Sequence, residues 1–218
     1  MSKPVTIVWP ALDSQAVCMD QTLAAAGNLN INGKLSTNPN VPNVRVEFSK
    51  ISRQITLQSA GNLSGVQFTI TGRGEDGRPR SLTIAGPNNS TVNTGGTYFS
   101  IVNSVSANLP VASNVRVGSG PVGVTNWFYS DYYKQVSNLS INVFVGGTIN
   151  YTFQTTSDYI IRTPIDGVTI PTVPASTPMI SQTVSCSADY TVPTYASRIA
   201  INSAGADGFA VITFLQQG

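Results

Sequence analysis

The sequence contains no histidine. That removes the commonest general acid/base, the Ser/His/Asp and Cys/His triads, and most zinc sites. Charge is scarce as well. Lys and Arg number 12 and Asp and Glu 10 in 218 residues, or 10%, against roughly 25% in ordinary soluble chains. Glu47 and Glu75 are the sole glutamates. The two cysteines, Cys18 and Cys186, are far apart and form neither a metal-ligand spacing nor a redox pair. Pairing between them stays open, and two buried free thiols are the expectation. No run reaches the 18 or so apolar residues of a membrane span. The start, Met1 to Pro10, lacks a signal peptide's apolar stretch and cleavage site. The expected place of synthesis is therefore a cytoplasm, with no membrane partner. Net charge is +2, and the basic residues are scattered apart from Arg73, Arg78 and Arg80. That is no footprint for nucleic acid.

Apolar residues make up 41% of the chain. At this length about 70% of the unfolded chain's surface can be buried, so no metal or disulfide is needed. Polarity comes from Ser, Thr, Asn and Gln. Such a surface repels its like weakly and favours association. Two readings follow: a surface occupied by other protein in the working state, or an ordinary β domain with uncharged loops.

Helix signals are nearly absent. One short candidate covers Met19 to Ala26 and stops at Gly27. Elsewhere the chain alternates, or runs in short β-branched segments between Gly, Asn and Pro. Val66, Phe68 and Ile70 share one face of a strand whose other face is Gln67, Thr69 and Thr71. Asp76-Gly77 follows, a strong hairpin turn, and Arg80 to Ala85 is its partner. Tyr98 to Val105 and Val115 to Gly118 read as further strands, with Gly118-Ser119-Gly120-Pro121 as a break. Leu139–Val145, Gly146-Gly147 and Thr148–Thr155 read as a second hairpin. Ser197–Asn202 and Phe209–Leu215, around Gly205-Ala206-Asp207-Gly208, read as a third. The fold expected is all-β, two sandwich or jelly-roll-like blocks built from hairpins with little or no helix. One block covers residues 1–122 with an extended N-terminal segment. The other covers 123–218 with a Pro-rich arm over 163–178 that carries Pro164, Pro171, Pro174 and Pro178.

The search for chemistry gives little. A glycosidase needs two carboxylates across a cleft, and nothing in the spacing pairs Glu47, Asp131 or Asp158. Glu75-Asp76 falls short of a calcium loop and reads better as a solvated turn. Gly72-Arg73-Gly74 has no helix after it, which removes a phosphate loop. No catalytic residue, metal or cofactor is expected. The aromatic cluster Trp127-Phe128-Tyr129 with Tyr132-Tyr133 is the most distinctive local feature. Aromatics of this kind serve as sugar-stacking platforms or as interface anchors. Trp127 and Phe128 are expected in the core. Tyr132 and Tyr133, between Asp131 and Lys134, are expected as exposed contacts. The Pro-rich arm reads either as a long surface loop or as a segment reaching over a neighbouring subunit.

Several stretches taken together resemble virion proteins of tailed bacteriophages. They are residues 24–33, 55–62, 68–72 with Gly86-Pro87-Asn88, 114–120, and the end Thr213-Phe214-Leu215-Gln216-Gln217-Gly218. Each is β-hairpin grammar; their order and spacing over most of the chain carry the likeness. The resemblance implies a non-enzymatic particle component, a homo-oligomer whose partners are the major capsid protein or tail proteins. A capsid decoration or cement protein comes first. A tail or head-tail junction component, including a fibre base, and a glycan-binding virion module are the alternatives.

Overall fold

The computed structural model describes residues 4–36, 45–129, 138–156, 177–190 and 196–217. Among them are seventeen strands and no helix. In chain order these are β1 (Val5–Trp9), β2 (Cys18–Leu23), β3 (Gly27–Asn28), β4 (Val46–Glu47), β5 (Ile51–Asn62), β6 (Gln67–Arg73), β7 (Pro79–Ala85) and β8 (Asn88–Asn93). Then come β9 (Ile101–Ala107), β10 (Val111–Thr125), β11 (Phe128–Tyr129), β12 (Asn138–Gly146) and β13 (Ile149–Thr156). Last are β14 (Thr177–Gln182), β15 (Cys186–Tyr190), β16 (Ala196–Ala204) and β17 (Phe209–Gln217). The chain is all-β, and it divides into two compact units. One is Leu12–Gly123; the other joins Met1–Ala11 to Val124–Gly218.

In the Leu12–Gly123 unit, one sheet runs β3-β9-β6-β7, with β4 also on β9. A second has β10, β5 and β8 in order, with β2 on the flank of β10. Ile55 and Leu57 of β5, Val111, Val115 and Val117 of β10, Phe68 and Ile70 of β6, and Val102 and Val105 of β9 are all fully buried. Each such side chain contributes about 1.5–3 kcal/mol relative to exposure. The Arg53–Phe99 backbone bridge, with N–H···O distances of 3.0 and 2.8 Å, ties the two sheets together. The β6–β7 hairpin forms in register from Gln67↔Ala85 to Arg73↔Pro79, and Gly77 takes a φ of 74° in its turn.

Two sequence expectations fail here. The short helix over Met19 to Ala26 is not formed. Cys18–Leu23 is extended and pairs with β10 at Val117↔Cys18, Val115↔Gln21 and Val111↔Leu23. Its other side is held by side-chain amides in place of a regular ladder. The Met19 N–H donates to Asn32 Oδ1 at 2.9 Å, and the Gln21 amide exchanges two hydrogen bonds with the Asn30 backbone, at 3.0 and 2.8 Å. Nor does Gly118-Ser119-Gly120-Pro121 interrupt a strand, since β10 runs through it for 15 residues. The glycines are needed for close approach. A Cβ on Gly118 would strike the Asp13 carbonyl, and one on Gly120 would lie 2.6 Å from Gln54 Cβ.

In the second unit, one sheet runs β1-β17-β12-β15. The other orders β14, β13 and β16, with β11 on the far flank of β16. The first strand therefore belongs with the last: β1 and β17 pair from Val5↔Phe214 to Trp9↔Ala210. The expectation had put this segment in the N-terminal block. The two sheets face one another in a sandwich-like arrangement. Phe128 stacks on Phe214 at 5.2 Å between centroids and 7° between planes. Ile141 and Val143 line the same small cavity as Tyr151, Phe153 and Ile199.

The second and third expected hairpins are not hairpins. β12 lies in one sheet between β17 and β15, and β13 in the other between β16 and β14. Gly146-Gly147 thus carries the chain from sheet to sheet. The turn at Gly205–Gly208 does the same between β16 and β17. The two crossings meet, where the Gly205 N–H donates to the Thr148 carbonyl at 2.8 Å. Gly147 has a φ of 64° and backs onto Asp207.

Candidate functional site

Four of the described carboxylates each lie beside a basic side chain. Lys34 lies 3.4 Å from Asp13, Arg45 3.4 Å from Glu47, Arg80 3.9 Å from Asp76, and Arg116 3.8 Å from Asp20. Asp189 accepts from the Ser140 hydroxyl. Asp76 also caps its own turn by accepting from the Arg78 N–H at 3.0 Å. Among the described residues no three His, Cys, Asp or Glu side chains come together as metal ligands. The cavity between the sheets of the second unit holds about 10 Å³, room for about one water. Its lining is nearly all apolar, with Gln182 at one side.

Both thiols are free, Cys18 buried and Cys186 half-buried. Burial pushes the Cys18 thiol up from 9.0 to about 12, so it stays protonated and inert at neutral pH.

The most unusual interior group is Arg53, fully buried in β5. Its Nε and Nη2 both donate to the Gly120 carbonyl, at 3.2 and 2.9 Å. Burial lowers its pKa from 12.5 to about 10, so it is still charged at neutral pH. It clamps β5 to β10 where Gly120 lets the strands come close. On either side of it the Ser52 hydroxyl and Gln54 Oε1 are buried without a hydrogen-bond partner. Nothing in the sequence marks Arg53 as buried; it stands beside Ser52 and Gln54 in what reads as a polar break.

Of the expected contact residues, Tyr132, Tyr133, Pro164, Pro171 and Pro174 lie outside the described residues. Pro178 is described in its backbone. It is the second residue of β14, opposite Gln154 at a register irregularity. β14 is an edge strand, where a residue lacking an N–H is tolerated. Trp127 is half-buried with the Arg198 guanidinium 4.4 Å from its ring centroid. Arg198 in turn donates to Gln154 at 2.7 Å. Phe128 is half-buried in the stack with Phe214. Both aromatics are therefore built into their own unit.

Compared with protein families, with curated proteins and with solved structures, the chain matches none of them.

What the structure does offer is broad sheet surface with little charge, Arg73 on β6 and Asp189 on β15 being exceptions. The outer face of β7, β6 and β9 carries two rows of hydroxyls, Thr83-Thr69-Ser106 and Ser81-Thr71-Ser104. Thr69 and Thr83 hydroxyls lie 2.8 Å apart, and Thr71 and Ser104 hydroxyls 2.6 Å. The outer face of β1, β17 and β12 is different. Val8 and Phe144 are 54% and 55% exposed there, and Phe209 37%. Scattered apolar residues on a surface are normal, but these adjoin one another on neighbouring strands. Alternation places Val8 on the same side as Thr6, and Phe144 on the same side as Ser140 and Asn142. The sequence signal was thus present: an apolar residue at a polar position of the alternation.

Proposed function

We propose that the chain is a non-enzymatic structural protein of a tailed-phage virion, a decoration or cement protein that docks on the assembled head shell. The observation that carries this reading is the charge-poor outer sheet surface of the Leu12–Gly123 unit, lined by two rows of hydroxyls. Surfaces of this kind associate through shape and hydrogen bonding rather than charge steering. The sequence resemblance supports it, and so does a composition with 10% charged residues. In this reading the partner is the major capsid protein of the same particle, and the chain's working place is the virion. Cement proteins act by mass action: binding only the assembled lattice stabilises that lattice. The experiment is the stoichiometry of the chain in purified particles against the major shell protein, by quantitative mass spectrometry. A ratio near one-to-one, or a simple fraction of it, is the expected result. A handful of copies would move the protein to the tail or the head-tail junction, and absence from the particle would overturn the proposal.

A further inference from the structure

The exposed apolar residues of the second unit form a pattern. Val8 of β1, Val211 of β17 and Phe144 of β12 are consecutive register partners, Val8↔Val211 and Val211↔Phe144. They make a row straight across three strands. Phe209 lies two residues along β17 from Val211, opposite Gly146. A Cβ on Gly146 would strike the Phe209 ring, so that ring lies down over the glycine. Phe144 packs against it at 6.2 Å and a 49° tilt, and stays the more exposed of the two. The surface therefore has a raised ring on β12, a flat ring and a short Val in the middle, and a short Val on β1.

We infer that this face pairs with the same face of a second copy of the chain, across a two-fold axis along β17. Such an axis exchanges the β1 and β12 sides. Val8 of each copy then meets Phe144 of the other, a short side chain under a raised one, twice. Val211 and Phe209 meet their own counterparts on the axis. Charge allows the pairing. Among the described outer-face residues of these strands the sole charged one is Asp189 on β15. The two-fold carries the two Asp189 carboxylates to opposite rims. A face with no charge pattern cannot discriminate a foreign partner electrostatically, but it meets its own copy without like-charge repulsion. Area limits the strength. The axis leaves β15 without a facing strand, so three strands about 4.8 Å apart and about seven residues long meet over roughly 340 Å² in projection. Even with side-chain relief this stays below the roughly 800 Å² per partner of a standard interface. The dimer therefore belongs at the weak end of specific interfaces.

The test is sedimentation of the full chain under reducing conditions, from about 1 to about 500 µM. The wild type is expected to pass from monomer to dimer across that range. Phe144→Asp and Val8→Lys each place a charge in the apolar row and should weaken the dimer by at least about thirtyfold. Both positions are exposed, so circular dichroism should show both variants folded. An equimolar mixture of the two should regain the dimer. In the mixed pair Lys at one site faces Asp at the other, and the native Val8 faces the native Phe144. A wild type that stays monomeric throughout would overturn the inference and leave the face to a different protein. So would variants that associate like the wild type, or a mixture that does not recover. This inference does not depend on the virion reading: a chain that dimerises but is missing from particles keeps the one and loses the other.

Discussion

Gly147→Ala separates a sheet-to-sheet crossing from a hairpin. In a free hairpin turn, alanine at a φ of 64° would meet only the left-handed penalty, about 1–2 kcal/mol. In the crossing the same methyl lies 2.6 Å from the Asp207 carbonyl, backbone of the neighbouring turn. That turn must shift, and it holds the Gly205–Thr148 hydrogen bond. Overpacking of this kind costs about 1–3 kcal/mol, so the total is about 2–5 kcal/mol. Gly77 and Gly95 supply the controls, with φ of 74° and 57° and no atom within 4 Å of an added Cβ. Alanine at either should cost the left-handed penalty alone. The chain's two tryptophans, Trp9 and Trp127, both lie in the unit that contains Gly147. Tryptophan fluorescence in a urea titration therefore reads that unit; far-ultraviolet circular dichroism reports both, and the part of its transition that fluorescence does not share follows Gly77→Ala and Gly95→Ala. Equal losses at all three glycines would refute the crossing.

Other outcomes follow from the buried groups. Native protein at pH 8 should take up a thiol reagent readily at Cys186 and not at Cys18, with both reacting in denaturant. Because Cys18 is raised from 9.0 to about 12, its neutral form is favoured by folding. The contribution is full below pH 9 and is lost as pH rises towards 12, by about 1.4 kcal/mol per unit. Cys18→Ala should remove that part of the slope between pH 9 and 10; an unchanged slope would show that the thiol is not buried. Arg53→Ala deletes a buried side chain and takes both donors from the Gly120 carbonyl. A loss of about 3–5 kcal/mol is expected in urea unfolding. Arg53→Met, which keeps volume and relieves a buried charge, should lose clearly less. Equal losses would mean that the guanidinium, not the packing, dominates.

What the sequence made legible was local. The β6–β7 hairpin could be read because Asp76-Gly77 carries its own turn chemistry, and the all-β class because alternation recurs along the chain. Strand partners were not legible. Alternation tells which side chains share a face, not which strand lies alongside. Gly146-Gly147 therefore looked like a hairpin turn although its flanking strands lie in different sheets. The same limit hid the pairing of β1 with β17, which are separated by nearly the whole sequence. Around Gly118 and Gly120 the error ran the other way. Glycines that permit close approach of Asp13 and Gln54 looked like a break in a strand that in fact continues.

The candidate surface was hidden for a different reason. Tyr132, Tyr133 and the prolines are conspicuous as residue types. Phe144 is conspicuous only by parity. In Leu139–Val145 the odd positions face the core, so an apolar residue at an even position stands outward. Phe144 is itself a good β-former, so by residue type it does not stand out within the strand. Val8 is the same exception in Thr6-Ile7-Val8. Each taken alone is an ordinary exposed hydrophobe. They become a surface because Val211 is the register partner of both, and that fact belongs to the sheet rather than to any strand. A chain this poor in charge has few means of covering or guarding such a row. The row is therefore the place where the structure gives the composition's tendency to associate a definite geometry.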